Sequence, residues 1–121
     1  MNYNPSQEEI NFVNHALEEF NNTAVGPENH ELLNIVEYDS KGNVIAGILG
    51  GTYWGWMHLD ILWVDEKYRK SGIGSRLLKA AEEEAVRRRC HSVHVDTMSW
   101  QAPDFYKKYG YRIIGELENI P

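Results

Sequence analysis

One cysteine, Cys90, in 121 residues leaves no partner for an internal disulfide. It falls at the end of a predicted helix, where a lone thiol reads as structural. No apolar run approaches the roughly 20 residues needed to cross a bilayer. The opening MNYNPSQEE has neither a basic start nor an apolar signal core, so the expectation is a cytoplasmic protein with no membrane partner. Basic residues are also scarce: 12 Lys and Arg face 18 Asp and Glu, a formal net charge of −6. That balance argues against a nucleic-acid partner and favours cationic or neutral substrates. With 42% hydrophobic and 25% charged residues, the composition suits one compact domain over 1–121 with a modest core and no room for a second.

What is present reads as alternating elements. Ser6-Gln7-Glu8-Glu9 is a capping-box pattern, and Ile10, Val13, Ala16, Leu17 and Phe20 then share one face of a helix running to Asn21. A polar segment with Gly26 and Pro27 follows, then a β-branched strand from Leu32 to Tyr38. Asp39-Ser40-Lys41-Gly42-Asn43 supplies turn chemistry, and Val44 to Tyr53 returns as the second arm of a hairpin, with Gly47, Gly50 and Gly51 as candidate bulge positions. Trp56 to Val64 is nearly continuous in aromatic and aliphatic residues, as a central strand requires. Ile73, Leu77, Leu78, Ala81 and Ala85 recur at helical spacing, in a helix closing on Arg87-Arg88-Arg89. Ser92 to Thr97 reads as a strand, Ala102 to Tyr109 as a helix and Tyr111 to Leu117 as a strand. The order α-β-β-β-α-β-α-β implies an α/β (α+β) fold, a mixed, mostly antiparallel twisted sheet flanked by helices.

The segment that carries chemistry is Arg69-Lys70-Ser71-Gly72-Ile73-Gly74, between a strand and a helix. Glycines at 72 and 74 let the backbone turn tightly and approach a ligand, leaving successive N–H groups to face an anion. The helix start adds its unpaired N–H groups and positive dipole end, which makes a pyrophosphate site. Arg69 and Lys70 add charge-assisted contacts. Gly74 is followed by Ser75-Arg76 rather than the Lys-Ser/Thr of a Walker loop, and Leu77 stands where a dinucleotide fingerprint has its third glycine. The bland alternative is a glycine-rich turn with no ligand.

Here the sequence closely resembles the GNAT superfamily of N-acetyltransferases, whose cofactor loop reads Arg/Gln-x-x-Gly-x-Gly/Ala. Arg69, Gly72 and Gly74 match it. Leu62-Trp63-Val64-Asp65-Glu66-Lys67-Tyr68 resembles the family's central strand and its exit, and Phe105-Tyr106-Lys107-Lys108-Tyr109-Gly110-Tyr111 is similar to its Phe-Tyr-x-x-x-Gly-Phe/Tyr signature. The resemblance covers about residues 32 to 117. It implies acetyl-CoA as co-substrate and an amine acceptor, with no metal. It implies a bulged strand whose backbone near Leu62, Trp63 and Val64 pairs with the pantetheine arm, while the main chain of Arg69, Lys70, Ser71, Gly72, Ile73, Gly74 and Ser75 holds the pyrophosphate. Tyr106 matches the tyrosine that protonates the departing thiolate. Two departures stand out. Ser99 occupies the position of the family's cofactor-contacting Asn and offers a shorter polar contact. The family's last strand after Leu117 is also missing, so the final sheet edge is left to be supplied some other way, a strand-mediated homodimer among them.

The resemblance implies direct attack of the amine on the thioester, with backbone N–H groups near Leu62 and Trp63 polarising the carbonyl. Cys90 is poorly sited for a covalent route. His58, Asp60 and Asp96 are the ionisable residues predicted on adjacent central strands, and any of them offers a base. Alternation puts Asp60 on one face with His58, Leu62 and Val64, facing a cleft opened by the bulge. Against this, Asp60 also reads as a surface carboxylate with a hydrogen-bond partner, and His58 as a packed or surface histidine. Tyr53 to Trp56 lies at a strand turn, where aromatic rings suit an amine by cation–π contact. Two functions follow. One is an N-acetyltransferase acting on a primary amine of a small molecule or peptide. The other is a non-catalytic acyl-CoA-binding sensor.

Overall fold

A computed structural model describes residues 1–120. Helix α1 (Gln7–Val25) starts on the complete capping box: Ser6 accepts from the Glu9 amide, and the Glu9 side chain accepts from the Ser6 amide. Strands β1 (Glu31–Tyr38), β2 (Val44–Tyr53) and β3 (Trp56–Val64) form an antiparallel meander. A single 3-10 turn (Glu66–Tyr68) leads to helix α2 (Ile73–Arg87), strand β4 (Ser92–Val95) and helix α3 (Pro103–Lys108). Sheet order is β1-β2-β3-β4, with β4 parallel to β3. The parallel pair needs a crossover, and α2 is that crossover.

The core lies between α2 and one face of the sheet. Ile73, Leu77, Leu78, Ala81 and Ala85 of α2 pack on Leu33, Ile48, Met57 and Leu59, all buried. Burial of each such side chain contributes about 1.5–3 kcal/mol. Tyr106 of α3 joins the same cluster. The opposite face is open: Leu32, Ile61 and Trp63 are exposed there, and α1 buries none of its own residues.

The expected strand from Tyr111 to Leu117 does not form. A strand exists only with a ladder partner, and β4 pairs with β3 alone. Tyr111 instead donates its amide to the Tyr106 carbonyl, closing α3, and Ile113, Ile114 and Leu117 beyond it are exposed. The observed order is therefore α-β-β-β-α-β-α, and the α/β class with a mixed, mostly antiparallel sheet stands.

A second correction concerns β3. Leu49 of β2 pairs with Ile61 and the next residue, Gly50, pairs with Leu59, so Asp60 is an extra residue in the ladder. This bulge inverts the alternation after it. Leu62 and Val64 pack on the core with Leu59, whereas His58 lies on the open side. Asp60 therefore does not share a face with Leu62 and Val64.

Candidate functional site

Four elements meet at the exit of β3. The bulge ends the ladder between β3 and β4, which runs only from Trp56–Ser92 to Leu59–Val95, while β2 stays paired with β3 as far as Val64. Backbone groups of Asp60 to Val64 that point away from β2 have no ladder partner among the described residues. That row, containing Leu62, Trp63 and Val64, is a strand edge at which an extended polar chain finds main-chain partners.

The loop that follows is tied down rather than loose. Arg69 donates from Nε to the Val64 carbonyl at 3.0 Å, so its guanidinium braces the strand exit. Asp65 accepts from the Lys67 amide, and the Ser71 hydroxyl donates to the Tyr68 carbonyl. Lys70 adopts a left-handed φ of 64° and Gly72 one of 88°. Such residues around a turn aim consecutive amides to one side. Gly72 is the N-cap of α2 and gives it no side-chain cap, so the first amides of the helix, at Ile73, Gly74 and Ser75, lack intrahelical acceptors. A β-carbon on Gly72 would meet nothing within 4 Å, so the loop is open at that residue. Uncapped amides, an open approach and the helix dipole fit a pyrophosphate.

Helix α3 closes the other side. A β-carbon at Gly74 would stand 3.7 Å from both Phe105 and Val64, so the loop, the strand exit and α3 converge on that glycine. Ser75 and Tyr109 share a hydroxyl–hydroxyl hydrogen bond that holds α3 to the start of α2. Tyr106 is buried, with Phe105 and Tyr111 edge-on at 5.2 and 5.6 Å. Burial pushes its phenol above the ordinary value, so it stays protonated and able to donate. Ser99 lies in the turn after β4. There Gln101 accepts from the Met98 amide and from the Thr97 hydroxyl, and Ser99 itself is exposed. Cys90 donates its amide to Ala85, and burial pushes its thiol up, which suits packing rather than nucleophilic attack.

The open face of the sheet keeps His58 and Asp60 together, as alternation predicts, and adds a residue that the sequence does not single out. Asp60 Oδ1 lies 2.9 Å from His58 Nδ1, and His58 Nε2 lies 3.1 Å from His30 Nε2. Tyr53 and His94 flank them, joined hydroxyl to Nε2 at 3.2 Å. Asp96 is exposed, one residue past β4, and joins none of these contacts. His30 was missed because it precedes its strand in a polar loop. The nearby Gly50-Gly51 pair was the signal: both glycines are needed by what lies across from them.

Comparison with known proteins bears on the family and the fold. The family model for the acetyltransferase (GNAT) family matches residues 3–111. Blasticidin-S acetyltransferase of Streptomyces morookaense is 39% identical over 82 residues, 67% of this chain and 60% of that protein. Thialysine N-epsilon-acetyltransferase of Sus scrofa is 33% identical over 64 residues, 51% of this chain and 38% of that protein. The chain thus spans less than two thirds of the length of either. The crystal structure of an acetyltransferase from Agrobacterium tumefaciens superposes with a TM-score of 0.88 at 32% identity, covering 99% of this chain and 88% of that one.

Proposed function

The chain belongs to the GNAT acetyltransferase family, and from that premise we propose that it transfers an acetyl group from acetyl-CoA to a primary amine of a small molecule or peptide. The observation that carries this reading is the free edge of β3 after the bulge, running straight into the uncapped start of α2. Bound acetyl-CoA supplies an activated acyl carbon. The chain's own groups do the rest.

The amides of Ile73, Gly74 and Ser75, with the main chain of Arg69, Lys70, Ser71 and Gly72, hold the pyrophosphate. The backbone of Leu62 to Val64 on the side away from β2 orients the pantetheine arm, and its N–H groups polarise the acyl oxygen. Ser99 adds at most a short polar contact. In the transfer the amine nitrogen bonds to the acyl carbon, the carbon–sulfur bond breaks, Tyr106 gives its proton to the sulfur, and the proton that the nitrogen sheds restores the Tyr106 hydroxyl. The base is assigned to the Asp60–His58 pair on the open face, where a carboxylate beside an imidazole also attracts an ammonium. No metal enters this route. Both relatives carry out acetyl transfer by name, and the Sus scrofa enzyme does so on an Nε amine, which favours nitrogen as the acceptor atom here.

A CoA-release assay with acetyl-CoA across a panel of amines and peptides tests the proposal, run beside calorimetric binding of CoA. Release with at least one amine is expected. Tight binding with no release on any acceptor would replace catalysis with an acyl-CoA sensor, and no CoA binding would remove both.

A further inference from the structure

The contacts around His58 leave it no free nitrogen. With both imidazoles neutral, Asp60 as a carboxylate only accepts, so His58 Nδ1 at 2.9 Å carries the proton and Nε2 holds the lone pair. His30 Nε2 lies 3.1 Å from that lone pair, so His30 donates its Nε2–H into it. This fixes the remaining nitrogen, His30 Nδ1, as an acceptor, and it has no hydrogen-bond partner among the described residues. His30 is exposed, whereas the His58 side chain keeps 19% of its exposure. The outward-facing base of the group is therefore His30.

The geometry points to His30 and His58 acting as one base, with Asp60 fixing the tautomer and His30 Nδ1 taking the proton from an incoming ammonium. This rests on the amine-acetylation reading above. When a proton arrives at His30 Nδ1, the N–H bond at His30 Nε2 breaks and one forms at His58 Nε2. One proton enters, none is lost, and the positive charge comes to rest on His58 against the Asp60 carboxylate. The released amine is neutral and goes on to attack.

Three features of the fold serve this arrangement. The two imidazole planes lie within 17° of each other, with centroids 5.3 Å apart, beside the bare backbone of Gly51. A β-carbon there would fall 2.7 Å from His58 Nε2 and 2.8 Å from His30 Nε2, so only glycine leaves room for the pair. The segment that carries His30 is anchored by Trp54, which donates its amide to Glu28 at 3.0 Å and its indole N–H to Gly26 at 3.3 Å. The titratable groups that face His58 are Asp60 on its own strand, His30 before β1, Tyr53 of β2 and His94 of β4. Tyr53 and His94 are satisfied by each other, which leaves the His30–His58–Asp60 row as the path for a proton.

The test compares His30→Gln and His30→Ala with the unaltered enzyme on an alkylamine that the CoA-release panel identifies. His30→Gln should lower kcat/KM at pH 7 by about 10²-fold or more, the usual share of general-base catalysis. The deficit should shrink as pH rises toward the amine's own pKa, where the acceptor arrives neutral. It should vanish on an O-alkylhydroxylamine acceptor, already neutral at pH 7. Added imidazole should restore His30→Ala. An equal loss at every pH and on both acceptors would show a structural role and overturn the proposal, as would no loss at all. A long-range proton–nitrogen NMR spectrum reads the assignment without turnover: His58 as the Nδ1–H tautomer and His30 as the Nε2–H tautomer are expected, and any other pair overturns it. If no acceptor releases CoA, the acetylation reading fails, while the spectrum still decides the histidine pair.

Discussion

Gly50 and His58 touch backbone to backbone: a β-carbon on Gly50 would lie 2.0 Å from the His58 carbonyl oxygen. The bulge at Asp60 pushes the backbone of β3 toward β2, and the missing side chain at Gly50 receives it. The ladder between β3 and β4 ends at the same place, after Leu59–Val95. Gly50→Ala should therefore cost about 1–3 kcal/mol, the usual penalty of overpacking. Urea unfolding measures the loss, and CoA affinity should fall with it because the free edge depends on the bulge. Unchanged stability would mean that β3 does not press on Gly50.

Gly51→Ala should separate the histidine pair from the core. Its β-carbon collides first with two side-chain tips on the open face, at 2.7 and 2.8 Å, and meets the Glu31 carbonyl oxygen at 3.0 Å. The expected outcome is a melting temperature within a few degrees of the parent, with kcat/KM reduced at least tenfold as the base is displaced. Thermal denaturation and the CoA-release assay, on the same sample, check both halves.

Tyr106→Phe should reduce kcat by about 10²-fold or more while leaving calorimetric CoA binding unchanged, since only the proton donor is lost. Burial raises the folded-state pKa of Tyr106, and burial together with the hydrogen bond to Glu82 raises that of Tyr111. A raised pKa contributes stability that is complete below the ordinary tyrosine value, near 10, and is lost as pH rises through the folded value. Denaturant midpoints should therefore hold through neutral pH and fall above about pH 10. Tyr111→Phe should flatten part of that fall.

Gly72→Ala tests the anion site through the backbone, because its β-carbon would meet no neighbouring protein atom but its φ is 88°. Forcing a left-handed alanine costs about 1–2 kcal/mol, and relaxation of that strain would turn the amides of α2 away. CoA affinity measured by calorimetry should drop about tenfold. Retained affinity would show that the amides are not the principal holders of the pyrophosphate.

Acid should loosen α1 before the core. The capping box holds the Glu9 carboxyl below its ordinary value through hydrogen bonds from Ser6. A depressed pKa gives stability that is present above the unfolded value, near 4.5, and lost as pH falls through the folded one. Circular dichroism should show helix loss in that range, and Ser6→Ala should bring it to neutral pH. α1 buries no residue, so the near-ultraviolet signal of the buried Tyr106 should not follow.

The sequence by itself determined what local rules govern. The capping box, the hairpin, the span of β3 from Trp56 to Val64 and the α2 face of Ile73, Leu77, Leu78, Ala81 and Ala85 follow from side-chain period and turn chemistry, and they appear where those rules put them. So did the loop from Arg69 to Gly74, because a glycine-rich strand-to-helix turn is a local object. Tertiary structure decided the remainder. The residues from Tyr111 to Leu117 have a strand's composition, yet a strand is a relation between two segments, and no partner segment lies beside them among the described residues. Side-chain alternation put Asp60 with Leu62 and Val64 because one extra residue in a ladder leaves no mark in the strand that holds it. Its mark is Gly50 on the neighbouring strand. His30 and His58 are 28 residues apart, and only the pairing of β1, β2 and β3 brings their nitrogens to hydrogen-bond distance.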